Sequence, residues 1–301
     1  MITSHPLFRL MKKTIDTIST DDLEKLQVAL GQGKLVKSEK MDDGYVEDLE
    51  IAGTTYLVRK AQGSPMATDT VTLGGSVRIM PYTMAKKVII TEEALEDNKY
   101  KEAINAPKRL LASAYRTQDA DVASLIVNST SSAAPGGFDA LPLGYASHKL
   151  VTGSTTSNVL ATYSTPSLAA LILAKAQLGL MPGPNGLVQP IRATHIVCPL
   201  VQEDVWKTLI GSEKVTGSNW NDINIVQDYK LKVLPIYHLD ASSTTQWGLK
   251  TDADDGFCVY EKRKITSKSW VGNDEEVMNY GVSYRLGQGW RNWRCWLQGN
   301  T

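Results

Sequence analysis

The side chains best equipped for covalent chemistry lie between Gly144 and Leu160, in GYASHKLVTGSTTSNVL. Ser147 directly precedes His148, with further serines, three threonines and Asn158 close by. A hydroxyl beside an imidazole is the raw material of nucleophilic catalysis, and a carboxylate brought near by folding would complete a triad, because triads are defined in space and not in sequence. A hydrolase using Ser147 and His148 is therefore one reading. Against it, no GxSxG elbow surrounds any serine and no HExxH pair is present. The other histidines, His5, His195 and His238, fall in a terminal arm and two strand-like runs.

Other candidate groups are weaker still. GQGK at 31–34 looks like a phosphate loop but lacks the four-residue spacer before a GK[ST] triplet. Cys198, Cys258 and Cys295 are odd in number and far apart, with no CxxC spacing, so they read as three buried, reduced thiols. Trp290, Trp293 and Trp296 alternate with Arg291 and Arg294, as a base-stacking platform would. A C-terminal strand docked by aromatic anchors explains the same pattern and is the commoner arrangement. No catalytic, cofactor-binding or metal-ligating residue is assigned, and no cofactor.

The totals narrow the class. A chain of 301 residues, 42% hydrophobic and 21% charged, is an ordered protein that buries a large core. Its 32 basic and 32 acidic residues give zero net charge, which argues against a protein built to grip phosphate backbone and permits close packing of like copies. The N-terminus has no apolar run after its lysines, and no stretch of about 18 apolar residues occurs, so neither a secretory signal nor a membrane span is expected. The cytoplasm of the producing cell is the expected compartment.

Periodicity places the elements that would position these groups. TDDLEKLQVAL at 20–30 reads as a short amphipathic helix capped by Thr20. From Tyr45 to Ile90, β-branched and aromatic runs broken at Gly63 to Pro65 read as a long two-stranded excursion with an acidic first limb (Asp42, Asp43, Glu47, Asp48, Glu50) and a basic second part (Arg59, Lys60, Arg78, Lys86, Lys87). Such a ribbon is marginal alone, and its charges read either as a solvated face or as a match for another chain. ITEEALEDNKY suggests a helix capped by Thr91, and Asn105 with Pro107 suggests the cap and first turn of a longer helix reaching Asn128. The segment after Thr165 and Pro166 is apolar nearly all round, so a buried helix is expected. ATHIVCP reads as a buried strand, LVQEDVWKTLIG as a helix, and LKVLPIYHL as a strand near an edge, because Pro235 interrupts it. FCVYEKRKITSKSW and VMNYGVSYRLGQGWRNWRCWL alternate as two long strands and a short third.

The order of these elements, with Ala146, Ser147 and His148 after the long helix and then Thr156, Ser157 and Asn158, resembles the major capsid protein of tailed bacteriophages. The likeness is to the Hong Kong 97 type and especially to its branch akin to the Mu-like major head subunit, and it runs from about Gly75 onward. It implies an α+β capsid fold: an N-terminal arm at 1–40, an extended E-loop hairpin at 41–87, and a P-domain with a long spine helix at 88–155. An α/β A-domain follows at 156–257, then a hairpin returning to the P-domain at 258–288 and a C-terminal segment closing the A-domain at 289–301. It also implies a non-enzymatic subunit that assembles with copies of itself as hexamers and pentamers into an icosahedral shell. Such a shell encloses double-stranded DNA without sequence-specific binding, works with portal and with scaffolding or decoration proteins, and has no membrane. The virion, assembled in the host cytoplasm, is its implied location. On this reading the hydroxyls and amide of 144–160 serve turns and local backbone bonds, and His148 packs. An encapsulin-type nanocompartment shell would share the architecture.

Overall fold

A computed structural model describes residues 35–91, 100–133, 136–161, 165–215, 222–271 and 277–300. His5, the GQGK run and the 20–30 helix lie outside the described residues, as does most of the ITEEALEDN segment. The chain forms two compact units.

The first unit contains the described parts of 1–45, 80–122 and 259–288. Its sheet has the order β1-β10-β11-β4, from Lys37–Lys40 (β1), Tyr82–Thr91 (β4), Phe257–Val271 (β10) and Val277–Trp290 (β11). β4 runs antiparallel to β11 from Val277↔Thr91 to Leu286↔Tyr82. Ile90, Met278, Tyr280 and Val282 form one face, because strand side chains alternate, and they pack on Leu110, Leu111 and Tyr115 of the helix Tyr100–Val127. Asp121 of this helix accepts the Tyr284 hydroxyl at 2.7 Å, while the Gln288 amide donates to the Asp121 carbonyl at 2.7 Å. The two bonds tie the helix to β11.

Two expectations change here. Pro107 does not open the long helix but sits inside it. A proline there forfeits one backbone hydrogen bond. Its ring is buried on the same stripe as Leu110 and Leu111, three and four residues on, which offsets that loss. Thr91, expected to cap a helix, is the last residue of β4. The run from 71 to 90 accordingly divides at Met80 and Pro81: the part after the break joins β11, so only the part before it pairs with the acidic limb.

The second unit contains the described parts of 46–79, 123–258 and 289–301. Its sheet has the order β12-β9-β7-β8, from Ala193–Cys198 (β7), Lys232–Pro235 (β8), Trp247–Thr251 (β9) and Trp296–Asn300 (β12). β8 lies at the edge and ends at Pro235, as a residue lacking an N–H requires. The YHL that follows is a helical turn, not strand. Helices Leu168–Gly179 and Glu203–Gly211 flank a core containing Leu171, Leu178, Ile196, Trp206, Trp247 and Trp293. Ser167, not Thr165, caps the first of these: its hydroxyl accepts the Ala170 N–H at 3.2 Å. That helix is not buried all round either, since Ile172 and Leu173 are exposed. Strands Val46–Ile51 (β2) and Leu73–Ile79 (β3) form an antiparallel hairpin in the same unit, and His148–Lys149 (β5) pairs with Thr155–Thr156 (β6).

Candidate functional site

Strand alternation decides the fate of the Ser147/His148 pair. The β5 ladder sets His148 opposite Thr156 and turns the histidine inward, while Ser147 and Lys149 on either side are exposed. Nδ1 of His148 lies 2.6 Å from Oδ2 of Asp139, and the ring stacks on Trp293 with centroids 4.3 Å apart and planes at 4°. Tyr145 meets it edge-on. Folding does bring a carboxylate to the imidazole, as a triad would need. The serine that should occupy the other side faces solvent, and Nε2 is buried with no hydrogen-bond partner. The hydrolase reading therefore fails on geometry: a base without a nucleophile or a route for water performs no acyl transfer.

Asn158 does more than close a local turn. Its side-chain N–H groups donate to the carbonyls of Leu143 (2.6 Å), Trp293 (3.2 Å) and Trp296 (3.1 Å), and its Oδ1 accepts the Tyr145 N–H at 2.9 Å. It is fully buried. Gln298 continues the same polar line, accepting from Ser129 Oγ at 2.9 Å and from the Trp296 indole at 2.7 Å. Sequence spacing carried no sign of either role, because the partners of Asn158 are at least 13 residues away and two of them lie in the C-terminal segment.

The tryptophan–arginine pattern is anchoring and not base stacking. Trp290, Trp293 and Trp296 are all buried, and Arg294 is 1% exposed, so no face is open to a nucleobase. The arginines point to acids. Arg291 binds Asp48 through Nη1 and Asp255 through Nη2, the latter at 3.0 Å. Arg294 reaches Glu50 at 3.4 Å, donates from Nε to the Pro182 carbonyl at 2.8 Å, and lies over the Trp293 ring. Burial lowers the Arg294 pKa and raises that of Glu50, in each case outweighing the attraction of the partner.

Those acids explain the orientation of β2. Val46, Asp48 and Glu50 alternate with Glu47, Leu49 and Ile51; the face bearing Asp48 and Glu50 is the more buried, and Leu49 and Ile51 are exposed. Leu73, opposite Ile51, is exposed too. Beyond the hairpin, residues 52–72 form no strand or helix. Thr55 donates from both N and Oγ1 to Asp69 at 2.7 Å, bonds that hold the Asp69 carboxyl below its usual range. Tyr56, Val58 and Met66 lie in solvent, as does Leu57, whose relative exposure is 101%. A loop with its large apolar side chains turned outward gains nothing from them in the isolated chain.

The three cysteines are buried thiols outside any disulfide, and burial pushes the Cys198 thiol up to about 12 and that of Cys295 higher still. Neither is a nucleophile at neutral pH. Among the described residues no group of three or more His, Cys, Asp or Glu is placed to hold a metal ion, and no helix is long and apolar enough to cross a membrane.

Comparison with known proteins agrees with a structural role. Residues 75–298 match the family model described as phage capsid protein. The chain superposes on the structure titled Mycobacterium phage Patience with a TM-score of 0.56 at 10% identity, covering 99% of this chain and 90% of that one. It likewise resembles the capsid of Myoviridae phage XM1 (TM-score 0.55, 14% identity, 90% and 92% covered). A third similar chain comes from the capsid of an empty GTA particle computed with C5 symmetry (TM-score 0.55, 12% identity, 91% and 90% covered). At these identities the structures establish a shared fold. No curated protein matches the sequence.

Proposed function

The chain belongs to the phage capsid protein family, and from that premise we propose that it is the major head subunit, assembling as pentamers and hexamers into an icosahedral shell around double-stranded DNA. It is a structural protein and not an enzyme. In this proposal residues 1–40 are the N-terminal arm, 41–87 the E-loop, and 88–155 the P-domain with its spine helix. Residues 156–257 form the A-domain, 258–288 the hairpin returning to the P-domain, and 289–301 the segment closing the A-domain, all in a Hong Kong 97-type layout.

The observation that carries the reading is the hairpin at 46–79, whose Asp48 and Glu50 turn toward the subunit while Leu49, Ile51, Leu57 and Leu73 turn out. An isolated chain gains no stability from that arrangement, whereas a neighbouring copy would bury the same side chains at about 25 cal/mol per Å² of apolar surface. Ring contacts of this kind are heterologous, and they close because the rotation between copies is fixed. Many modest contacts per copy then give a shell that is strong as a whole. Portal and scaffolding or decoration proteins complete the head, which is assembled in the host cytoplasm.

Negative-stain microscopy beside size-exclusion chromatography tests this. Closed particles of uniform diameter, eluting far ahead of a 33.0 kDa chain, are expected. A purified protein that stays monomeric at every concentration overturns it, and particles from infected cells that hold protein cargo in place of DNA would make it a nanocompartment shell.

A further inference from the structure

The root of the 46–79 hairpin is fastened to its own subunit more firmly than its exposed loop requires. Asp48 and Glu50 are two apart on a strand, so they share a face with their Cα atoms about 7 Å apart. Arg291 and Arg294 are three apart, one just after the last residue of β11 and the other in the 3₁₀ turn Trp293–Cys295. Each acid takes one arginine, Asp48 with Arg291 and Glu50 with Arg294, while Arg291 also holds Asp255. Arg294 is itself immobilised: Pro182 holds Nε, Asn292 accepts from Nη1 at 3.2 Å, and the Trp293 ring lies beneath the guanidinium.

The other strand of the root is docked by a different device. A Cβ on Gly75 would fall 1.9 Å from the Phe138 carbonyl oxygen, and one on Gly74 would fall 2.7 Å from Val151. Only glycine lets β3 approach that closely. The Asn185 amide adds a bond to the Thr54 carbonyl at 3.0 Å, where the hairpin gives way to the loop.

We propose that Asp48 and Glu50 with Arg291 and Arg294 form a two-point ionic clasp that holds the hairpin root against its own subunit, so that the loop at 52–72 is presented in one direction before a second copy is met. The four are positioning residues, and the proposal rests on the capsid reading above. A buried ion pair is a poor source of stability, because desolvation consumes most of the attraction. Burial is indeed the largest influence on both Glu50 and Arg294. What the pair supplies instead is geometry, since a carboxylate held in that site has one place to put its charge.

Hydrogen–deuterium exchange of the full-length, unassembled subunit tests the clasp. The Glu50→Gln and Asp48→Asn double variant keeps the side-chain shapes and removes the charges. Exchange across 46–51 and 73–79 should quicken about tenfold or more, while 193–198 and 247–251 in the core sheet keep the parent rate. Unchanged exchange at the root overturns the proposal, and so does an equal acceleration in the core sheet, which would make the pairs part of the core. Should the double variant fail to fold, the clasp idea falls for Glu50, and Asp48→Asn alone, at the half-exposed point, decides the Asp48 contact by the same measurement. Shell formation by the parent decides the capsid reading separately, so either idea can fail alone.

Discussion

His148 lies flat against Trp293, ring planes 4° apart, with its Nδ1 2.6 Å from Asp139. The imidazole therefore joins the loop 136–141 to the C-terminal segment, and its chemistry is used for packing. Replacing it with alanine removes a fully buried ring and leaves Asp139 Oδ2 without its imidazole partner. The two losses together should cost roughly 3 kcal/mol. Denaturant unfolding of the unassembled subunit measures this. A variant as stable as the parent would show that the stack and the bond contribute little.

Asn158 should be harder to replace than any hydroxyl near it. Three carbonyls and one N–H meet its fully buried side chain. Asn158→Ala removes all four bonds and leaves the Trp293 carbonyl only the Trp296 N–H, so at about 1 kcal/mol for each bond a loss of about 3 kcal/mol or failure to fold is expected. Asn158→Asp should be no milder, because a carboxylate cannot donate to carbonyls. Thermal melting of the two variants beside Ser157→Ala, expected near parental stability, checks the ranking.

These two residues mark what the sequence could and could not disclose. Alternation over 257–290 revealed both long strands, and Pro235 revealed an edge, since each depends on local geometry. Alternation in VEDLEI likewise reveals two faces, but not which of them turns inward. Hydrophobicity alone would bury Leu49 and Ile51. The structure buries Asp48 and Glu50 because two arginines from the far end of the chain wait opposite them. The partners of Asn158, the register of β4 with β11 and the exposure of Ile172 and Leu173 are long-range facts of the same kind. His148 beside Ser147 was misleading for a local reason: neighbours on a strand point to opposite faces.

Asp121 should give the subunit a recognisable response to pH. Burial holds its carboxyl above the usual value of 3.8, against the bonds from Tyr284 and Tyr82, which favour the charged form. The folded state thus binds this proton more tightly than the unfolded state. The contribution is fullest below 3.8 and is lost as pH rises through the raised folded value. Asp121→Asn removes the titration and keeps an oxygen for the tyrosines. Unfolding free energies measured from pH 3.8 upward should fall more steeply for the parent than for this variant. Tyr284→Phe should cost about 1 kcal/mol at neutral pH and raise the Asp121 pKa further. Identical pH slopes in parent and Asp121→Asn would contradict the assignment.

Leu57 offers the sharpest separation of folding from assembly. It is wholly exposed, so Leu57→Ser should change the stability of the unassembled subunit by no more than about 0.5 kcal/mol. If the loop clamps a neighbouring copy, the same change removes an apolar anchor worth about 1.5–3 kcal/mol at each contact, repeated in every copy of the shell. Assembly should therefore need a higher protein concentration, and formed particles should break up at lower denaturant. A larger test replaces residues 56–68 with a short Gly/Ser turn, keeping β2, β3 and the Thr55–Asp69 bond. Circular dichroism and melting should then resemble the parent, while sedimentation shows only small species. Particles as robust as the parent's in both variants would remove the loop from the assembly contacts. A truncated chain that cannot fold would place the loop in the core, contrary to the exposure of Tyr56, Leu57, Val58 and Met66.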